Sequence, residues 1–361
     1  MESINERIEN GILLKFKPIT KSISLFDKDN KPLARKEFIE WSIDYPLRVV
    51  LDIESSCNSG CKYCSYGNNK SNNLRMPKEK VFQILDEAEK MKVFELSFRG
   101  GEPTIHPDFE EIWGYAQSKK FLTTNVITNG LALDNKKVKK LLKYPNAKII
   151  ISFDGFPETN NLHRNPQQYN LIMSWLPAIL KEYPYQIVVL SCLYGDSKKR
   201  ILEFLEYLAE LGLKFHDFSP LRIQGDAVSY DKREFLSLED YKNIQNSLNN
   251  IKDKFENFRP SITLPMIRED EYLDLQNFPV PLFNETYRNT TARITVNGDV
   301  IVSTRICSTE YIRKNEQEKK YLVPFGNIFK DSLENVWLSS KDIRKKQVEI
   351  FYKNALFFLG F

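Results

Sequence analysis

The sequence has few of the features that mark secreted, membrane-spanning or nucleic-acid-binding proteins. Only 5 of its 361 residues are cysteine and 3 are histidine, and three of the cysteines fall within Cys57–Cys64, so a disulfide framework is excluded. No stretch approaches the ~18 apolar residues that cross a bilayer. The first residues lack the basic start and apolar run of a secretory signal. These absences predict a cytoplasmic protein with no membrane span.

Basic and acidic side chains are present in nearly equal numbers. There are 52 basic and 48 acidic side chains, which gives a net charge of +4. This balance is too even to imply nucleic acid or anionic lipid as a partner. Hydrophobic residues make up 42% of the chain, as in ordinary globular proteins. The length allows one large domain or two of ordinary size.

From about residue 46 to 255, short apolar runs alternate with helical periodicity. The helical pattern is clearest where Val81, Ile84, Leu85 and Ala88 share one face. Six successive βα units predict an α/β fold with a parallel sheet, either a barrel or a doubly wound sheet. In both, the chemistry lies at the carboxyl ends of the strands. The predicted strands are Leu47–Ile53, Phe94–Phe98, Thr123–Thr128, Lys148–Phe153, Gln186–Leu193 and Lys214–Ser219.

The flanking segments do not follow this repeat. Residues 1–46 form an N-terminal extension in which Ile23–Phe26 and Leu33–Phe38 can pair as a hairpin. Residues 47–255 are the repeat itself, and residues 256–291, rich in proline, asparagine and charge, are interpreted as a connector. Residues 292–361 are predicted to be a small α+β extension, with a hairpin turning at Asn297–Gly298 and two helices after Asp331.

The chemical signal is the segment Cys57-Asn-Ser-Gly-Cys61-Lys-Tyr-Cys64, in the loop after the first strand. Three thiolates at this spacing can bind three irons of a [4Fe-4S] cluster and leave the fourth iron open for another molecule. A zinc site is the alternative, but it needs a fourth ligand, and no histidine lies within 40 residues of Cys64. Cysteines without a chemical role would not be expected to lie so close together in the sequence.

This segment resembles the CxxxCxxC motif of the radical S-adenosylmethionine (radical SAM) superfamily, including the aromatic Tyr63 before the third cysteine. The resemblance covers about residues 47–228, and a second motif, Gly100-Gly101-Glu102-Pro103, follows one βα unit later. It implies a partial (β/α)6 TIM-like barrel that holds one [4Fe-4S] cluster and S-adenosyl-L-methionine. It further implies an enzyme that cleaves this cofactor to a 5'-deoxyadenosyl radical. An external one-electron reductant of the flavodoxin or ferredoxin type would then be a partner.

The resemblance also implies which residues contact the cofactor. Glu102 would supply negative charge for its ammonium group, and Arg164 would grip its carboxylate through a forked pair of donors. Asn129 either orients the cofactor or serves the turn in which it lies. The full set of implied contacts is Tyr63, Gly100, Gly101, Glu102, Pro103, Asn129, Ser152, Asp154, Arg164, Gln224 and Gly225.

Residues 292–340 resemble the SPASM/twitch extension that carries auxiliary clusters in many radical SAM enzymes. Here Ser303 stands at a cysteine position, and no cysteine follows Trp337. Since only Cys192 and Cys307 remain, we expect the extension to keep its fold and to have lost its cluster. Without an auxiliary cluster to accept an electron from the substrate, a redox-neutral reaction is favoured. Cys192, at the end of the fifth strand, is either a hydrogen-atom donor or a small buried hydrophobe.

Three functions follow from this interpretation. The first is a radical enzyme that epimerises, rearranges or eliminates a group from a small biosynthetic intermediate, such as a sugar, nucleoside or amino-acid derivative. The second is epimerisation or cross-linking of a ribosomally synthesised peptide, although residues 1–46 are too short for the winged-helix domain of ~80 residues that often binds such peptides. The third, a non-catalytic iron–sulfur electron carrier, would not need the cofactor motifs.

Overall fold

The chain folds as an α/β protein around one mostly parallel sheet. The computed structural model describes residues 5–9, 12–17, 22–26, 29, 31, 44–64, 66, 73–195, 200–221, 225–231, 236–262, 290–301 and 324–353. A small antiparallel sheet comes first, in the order β1 (Asn5–Glu9), β2 (Ile12–Lys17) and β3 (Ser22–Phe26). The predicted strand Ile23–Phe26 is therefore present, but it pairs with β2. Its expected partner, residues 33–38, lies outside the described residues.

The main sheet has ten strands, in the order β10-β9-β8-β7-β6-β5-β4-β11-β12-β13. Adjacent strands from β10 to β11 are parallel, and β11–β12 and β12–β13 are antiparallel. The sheet is open, with β10 and β13 at its edges, as in a partial barrel. The strands are β4 (Arg48–Glu54), β5 (Glu95–Gly100), β6 (Thr123–Thr128), β7 (Ala147–Ser152), β8 (Ile187–Leu193), β9 (Phe215–Pro220), β10 (Arg259–Ile262), β11 (Thr291–Ile294), β12 (Asp299–Ile301) and β13 (Gly326–Asn327).

Helices connect the parallel strands and cover one face of the sheet. In α1 (Lys78–Lys90), the predicted face of Val81, Ile84, Leu85 and Ala88 is buried in the main hydrophobic core. Most of the other helices also bury apolar faces in this core, which therefore lies between the helices and the sheet. The helices are α1 (Lys78–Lys90), α2 (Phe109–Gln117), α3 (Asn135–Leu142), α4 (Pro157–His163), α5 (Gln168–Glu182), α6 (Ile201–Glu210), α7 (Leu238–Lys254), α8 (Leu333–Ser339) and α9 (Lys341–Lys353).

The six predicted strands are confirmed as β4 to β9, with ends that agree within two residues. The interpretation of residues 256–291 as a connector needs a correction, because Arg259–Ile262 forms β10, which pairs with β9. This strand was not predicted because it contains Pro260, and proline lacks the N–H that a central strand donates. At the edge of the sheet that donor is not needed, so the strand tolerates it.

The C-terminal region continues the main sheet. The predicted hairpin is present as β11 and β12, and its turn places Gly298 at φ 82°, a left-handed conformation that favours glycine. α8 docks on α1, where the Leu333 amide donates to Glu87 Oε2 at 2.5 Å and Lys90 pairs with Glu334. Ser303 and Cys307 lie outside the described residues, so the loss of an auxiliary cluster stays a prediction. In the part of the chain that is described, every helix is too short or too polar to cross a bilayer.

Candidate active site

The loop after β4 carries Cys57, Cys61 and Cys64 at the carboxyl edge of the parallel sheet. Its backbone is fixed from both ends, because the Ser55 amide donates to the Leu74 carbonyl and the Asp226 amide donates to the Cys64 carbonyl. Between these points, the Lys62 amide donates to the His163 carbonyl at 2.9 Å. The loop is therefore held by segments that follow three different strands, β4, β7 and β9.

The three cysteines are free thiols. No three Cys, His, Asp or Glu side chains of the described residues surround a point where a single metal ion could sit. A cubane cluster does not require such a point, because each cysteine binds a different iron. Cys57, Cys61 and Cys64 are therefore the residues that would hold a [4Fe-4S] cluster, and this assignment stays a prediction.

The environment of the thiols also suits a cofactor that brings positive charge. Burial raises the pKa of Cys57 and raises that of Cys64 to about 11, and the neighbouring Cys61 raises both further. Such thiols stay protonated at neutral pH unless a cation stabilises the thiolates. Iron supplies that charge when the thiolates bind it.

Gly100 and Gly101 lie against the backbone that leads into the cysteine loop. A Cβ on Gly100 would lie 2.1 Å from the Glu54 carbonyl oxygen, and one on Gly101 would lie 2.3 Å from that of Ser56. Gly100 also has φ 138°. In this structure, the two glycines are thus required for close packing of β5 against the cysteine loop. Their predicted contact with the cofactor stays a prediction.

The Glu102 carboxylate is buried and fully occupied by protein donors. Its Oε1 accepts hydrogen bonds from the Thr104 amide, the Thr104 hydroxyl and, at 2.7 Å, the Thr128 hydroxyl. Its Oε2 accepts from the Asn129 amide at 2.7 Å. A carboxylate offers about four acceptor sites, and these four hydrogen bonds use them. Since its donors lie after β5 and at the end of β6, Glu102 joins the loops that follow these two strands. Its contact with an ammonium group stays a prediction.

Asn129 connects the loop after β6 to the first cysteine. Its Nδ2 donates to Asn58 Oδ1 at 2.8 Å and lies 3.6 Å from Cys57 Sγ, while its Oδ1 accepts from the Leu131 amide. The last of these bonds is the turn contact that was the alternative interpretation. Asn129 thus serves the turn and contacts the cysteine loop at the same time.

The loop after β7 brings Asp154, Arg164 and Tyr63 together. Arg164 donates to Asp154 from Nε at 2.7 Å and from Nη2 at 3.0 Å, and its Nη1 lies 3.7 Å from Cys61 Sγ. Tyr63 donates to Asp154 Oδ2, and its ring lies beside the guanidinium, 5.3 Å from Cζ to the ring centroid. The Cys192 amide donates to Asp154 Oδ1 at 2.9 Å. Two nitrogen donors of Arg164, which was expected to bind the cofactor carboxylate, thus already bind Asp154.

Two buried amides behind this group hold the loops after β6 and β7 in place. Asn160 accepts from the Asp154 amide and donates to Gln168 Oε1. Gln168 in turn donates to the carbonyls of Asn129 and Ser152 at 2.6 and 2.9 Å. The sequence analysis did not identify Asn160 and Gln168. Both lie on helices and carry no motif, so their roles are visible only in the folded chain.

The other implied contacts are distributed around the same edge of the sheet. Ser152 ends β7, and Pro103 begins a buried 3-10 helix directly after Glu102. Gly225 begins a second 3-10 helix, Gly225–Ser229, next to the Cys64 carbonyl. Gln224 lies outside the described residues. The structure thus brings most of the predicted contacts to one edge, around the cysteine loop.

Comparison with known proteins agrees with this geometry. The family model of the radical SAM superfamily matches residues 55–223. Mycofactocin maturase MftC of Mycobacterium ulcerans (strain Agy99) is 29% identical over 119 residues, which cover 33% of this chain and 32% of MftC. The chain thus matches about a third of the length of this relative. A tungsten-containing aldehyde ferredoxin oxidoreductase cofactor-modifying protein of Pyrococcus furiosus is 26% identical over 313 residues, or 81% of each chain.

Among solved structures, Streptococcus suis SuiB bound to S-adenosylmethionine superimposes with a TM-score of 0.69 at 14% identity. The match covers 94% of this chain and 87% of SuiB. SuiB has also been solved with its precursor peptide SuiA, with a TM-score of 0.63 to this chain. At such low identity the likeness establishes the fold alone. The family model covers just under half of the chain, and together with the motifs it identifies residues 55–223 as similar to the radical SAM domain, whose members bind a [4Fe-4S] cluster and S-adenosylmethionine.

Proposed function

We propose that this chain is a radical SAM enzyme that epimerises or cross-links a ribosomally synthesised peptide. The observation that carries the proposal is the likeness to SuiB, which spans 94% of the chain and includes a structure with a precursor peptide. The similarity to a protein named as a maturase supports the same substrate class. These similarities favour the second function expected from the sequence over the first, a small biosynthetic intermediate.

In this proposal Cys57, Cys61 and Cys64 would hold the [4Fe-4S] cluster. When bound, the cluster would supply the one electron needed to cleave S-adenosylmethionine reductively. The protein's part is to bind and to orient. Asp154 binds Arg164 Nε and Nη2 and leaves Nη1 beside Cys61, so a cofactor carboxylate bound at Nη1 would lie next to the cluster.

Cys192 has a defined place in this proposal. It is the next-to-last residue of β8, its amide donates to Asp154, and it packs with Tyr63 and Tyr194. A thiol here could return a hydrogen atom to a substrate radical, which an epimerisation requires. The competing role as a small packed side chain makes no use of the sulfhydryl hydrogen.

A second candidate is modification of a small cofactor or intermediate. It rests on the relative from Pyrococcus furiosus, whose name describes a cofactor-modifying protein and whose match extends over 81% of both chains. The two candidates share the radical chemistry and differ in the molecule that loses hydrogen.

The experiment that tests the proposal is an anaerobic incubation of reconstituted protein with S-adenosylmethionine, dithionite and a peptide encoded beside its gene. We expect 5'-deoxyadenosine together with a changed peptide. Epimerisation in deuterated water would replace one hydrogen of the peptide by deuterium. Cross-linking would remove two hydrogens, one taken up as an atom by the 5'-deoxyadenosyl radical and one lost as a proton, with its electron returned to the cluster. The Cys57→Ala variant is the control for cluster-dependent change.

Two outcomes would count against the proposal in different ways. If 5'-deoxyadenosine forms but the peptide stays unchanged, while a small intermediate is converted, the second candidate replaces the first. If no 5'-deoxyadenosine forms with a fully loaded cluster and strong reductant, the chain is an iron–sulfur electron carrier.

A further inference from the structure

A charged cluster of Asp52, Tyr66, Arg99 and Arg293 lies next to the cysteine loop, on the face of the sheet that the helices do not cover. On β5, Phe98 packs in the main hydrophobic core, so the next side chain, Arg99, projects from the opposite face. Asp52 is the register partner of Arg99 on β4, and Arg293 stands on β11. Tyr66 follows the third cysteine by two residues. The cluster therefore borders the site that the cofactors occupy.

Arg293 and Asp52 form a buried ion pair in this cluster. Arg293 Nη2 lies 3.0 and 3.2 Å from the two carboxylate oxygens, and its Nε lies 3.3 Å from Oδ2. Asp52 Oδ1 also accepts from the Tyr66 hydroxyl at 2.8 Å. Both Asp52 oxygens are thus used by Arg293 and Tyr66.

Arg99 differs from Arg293 because it has no such partner. In the described part of the chain, its guanidinium makes neither a hydrogen bond nor an ion pair, although Asp52 is its register neighbour. Burial lowers the pKa of Arg99, and the like charge of Arg293 lowers it further. The cluster contains two cations and one anion, so it has a surplus of one positive charge. None of the Arg99 nitrogens is among the buried atoms without a partner, so its five N–H donors are open to water and to an anion that enters the site.

We propose that Arg99, with Arg293 beside it, binds a carboxylate of the substrate. If the substrate is the peptide proposed above, that group is an acidic side chain or the C-terminal carboxylate. The forked guanidinium fits a carboxylate in two-point contact. Arg99 directly precedes Gly100 and Tyr66 closely follows Cys64, so a carboxylate held there anchors the substrate beside the radical source. The inference rests on the proposed function for the kind of molecule that carries the carboxylate.

The test measures binding and does not depend on turnover. Protein loaded with its cluster and S-adenosylmethionine is titrated anaerobically with N-acetyl-glutamate N-methylamide, and binding is followed by the shift in the thermal midpoint. The neutral glutamine analogue tests the need for charge, and N-acetylglycine tests a C-terminal carboxylate. We expect a saturable shift with at least one of the two acids and none with the glutamine analogue.

Arg99→Gln should raise the apparent dissociation constant for that acid about tenfold or more, because a charge-assisted pair is lost. Arg259→Gln, the same change at an exposed arginine on β10, should leave it unchanged. Arg99→Gln should also fold, since it removes a cation that has no protein partner, and its midpoint without ligand should not fall below that of the wild type. Equal binding by wild type and Arg99→Gln, or equal shifts with acid and amide, would overturn the inference. Failure of the proposed function would appear separately, as an unchanged peptide.

Discussion

Asp154 and Arg164 form a two-point ion pair at the carboxyl end of β7, and both side chains are less than a tenth exposed. The pair lies between the cysteine loop, through Cys61, and strand β8, through the Cys192 amide. It thereby fixes the distance between the predicted cluster and the predicted hydrogen-atom donor. A buried pair of this kind contributes more to geometry than to stability, because desolvation offsets most of its attraction.

Breaking this pair should be costly. Asp154→Asn leaves the Arg164 charge buried without its counterion, so we expect the free energy of unfolding to fall by about 3 kcal/mol. Urea unfolding of the anaerobic protein measures this. Adding Arg164→Met to the first change removes the orphaned charge and should recover part of the loss. A double variant less stable than Asp154→Asn would show that the cost has another origin.

The cluster ligands can be tested by iron content. Alanine at Cys57, Cys61 or Cys64 removes one of three iron ligands, so each variant should lose most of its iron and form no 5'-deoxyadenosine. Alanine at Cys192 or Cys307 should leave the iron content unchanged. Iron and sulfide per chain, measured after anaerobic reconstitution, check both statements. Loss of a second cluster in the Cys307 variant would contradict the predicted loss of the auxiliary site.

Gly101 should be intolerant of any side chain. The Cβ of Gly101→Ala would collide with the carbonyls of Ser55 and Ser56, at 2.4 and 2.3 Å, and push the cysteine loop away from β5. We expect reduced iron loading together with a lower thermal midpoint. Gly114→Ala is the matched control, because its new methyl group would meet only the Tyr144 hydroxyl, at 3.9 Å. In the helix α2, that change should be neutral or stabilising by up to about 1 kcal/mol. Equal iron loading in the two variants would show that the contact is not needed.

His216 should make stability depend on pH. It is fully buried on β9, its Nε2 lies 2.8 Å from the Ser191 hydroxyl, and burial lowers its pKa to about 3. Between that value and its usual pKa of about 6.5, only the unfolded chain is protonated here. Stability is therefore fully present above about pH 6.5 and falls as the pH drops, by up to about 1.4 kcal/mol per unit.

The His216→Gln variant isolates this effect. Its free energy of unfolding should fall less steeply between about pH 6.5 and pH 5 than that of the wild type, since it lacks the titrating group. Urea unfolding at several pH values in this range gives both slopes. Carboxylates contribute equally to the two proteins and cancel in the comparison. Parallel slopes would mean that His216 is not buried in the neutral form.

The sequence predicts the parallel strands well because strands buried on both faces are continuous apolar runs, such as Val49–Leu51. It does not predict which strands are neighbours at the two ends of the sheet. The parallel pairing of β11 with β4 joins segments more than 240 residues apart, and no local pattern encodes it. β10 was missed because Pro260 is typical of loops.

For the candidate site, the sequence identifies residues through motifs but not the contacts among them. Asp154 and Arg164 were both named, yet each was assigned to the cofactor, and their mutual pairing depends on the path of the backbone after β7. Arg99 carries a signal that could have been used, since a charged residue in a strand buried on both faces needs a partner or a ligand. That it lacks a hydrogen-bonding or ion-pair partner among the described residues is visible only once the sheet is assembled.

The cysteine loop is attached to residues that follow β6, β7 and β9 as well as to β5, so its surroundings come from points as far apart as Gly101 and Asp226. A fragment that ends before Asp226 lacks at least one of these attachment points. Iron can be held in its final environment only after nearly the whole parallel sheet has formed. We therefore expect the cluster to be loaded late in maturation, and a chain that pauses before β9 is complete to expose its thiols to oxygen.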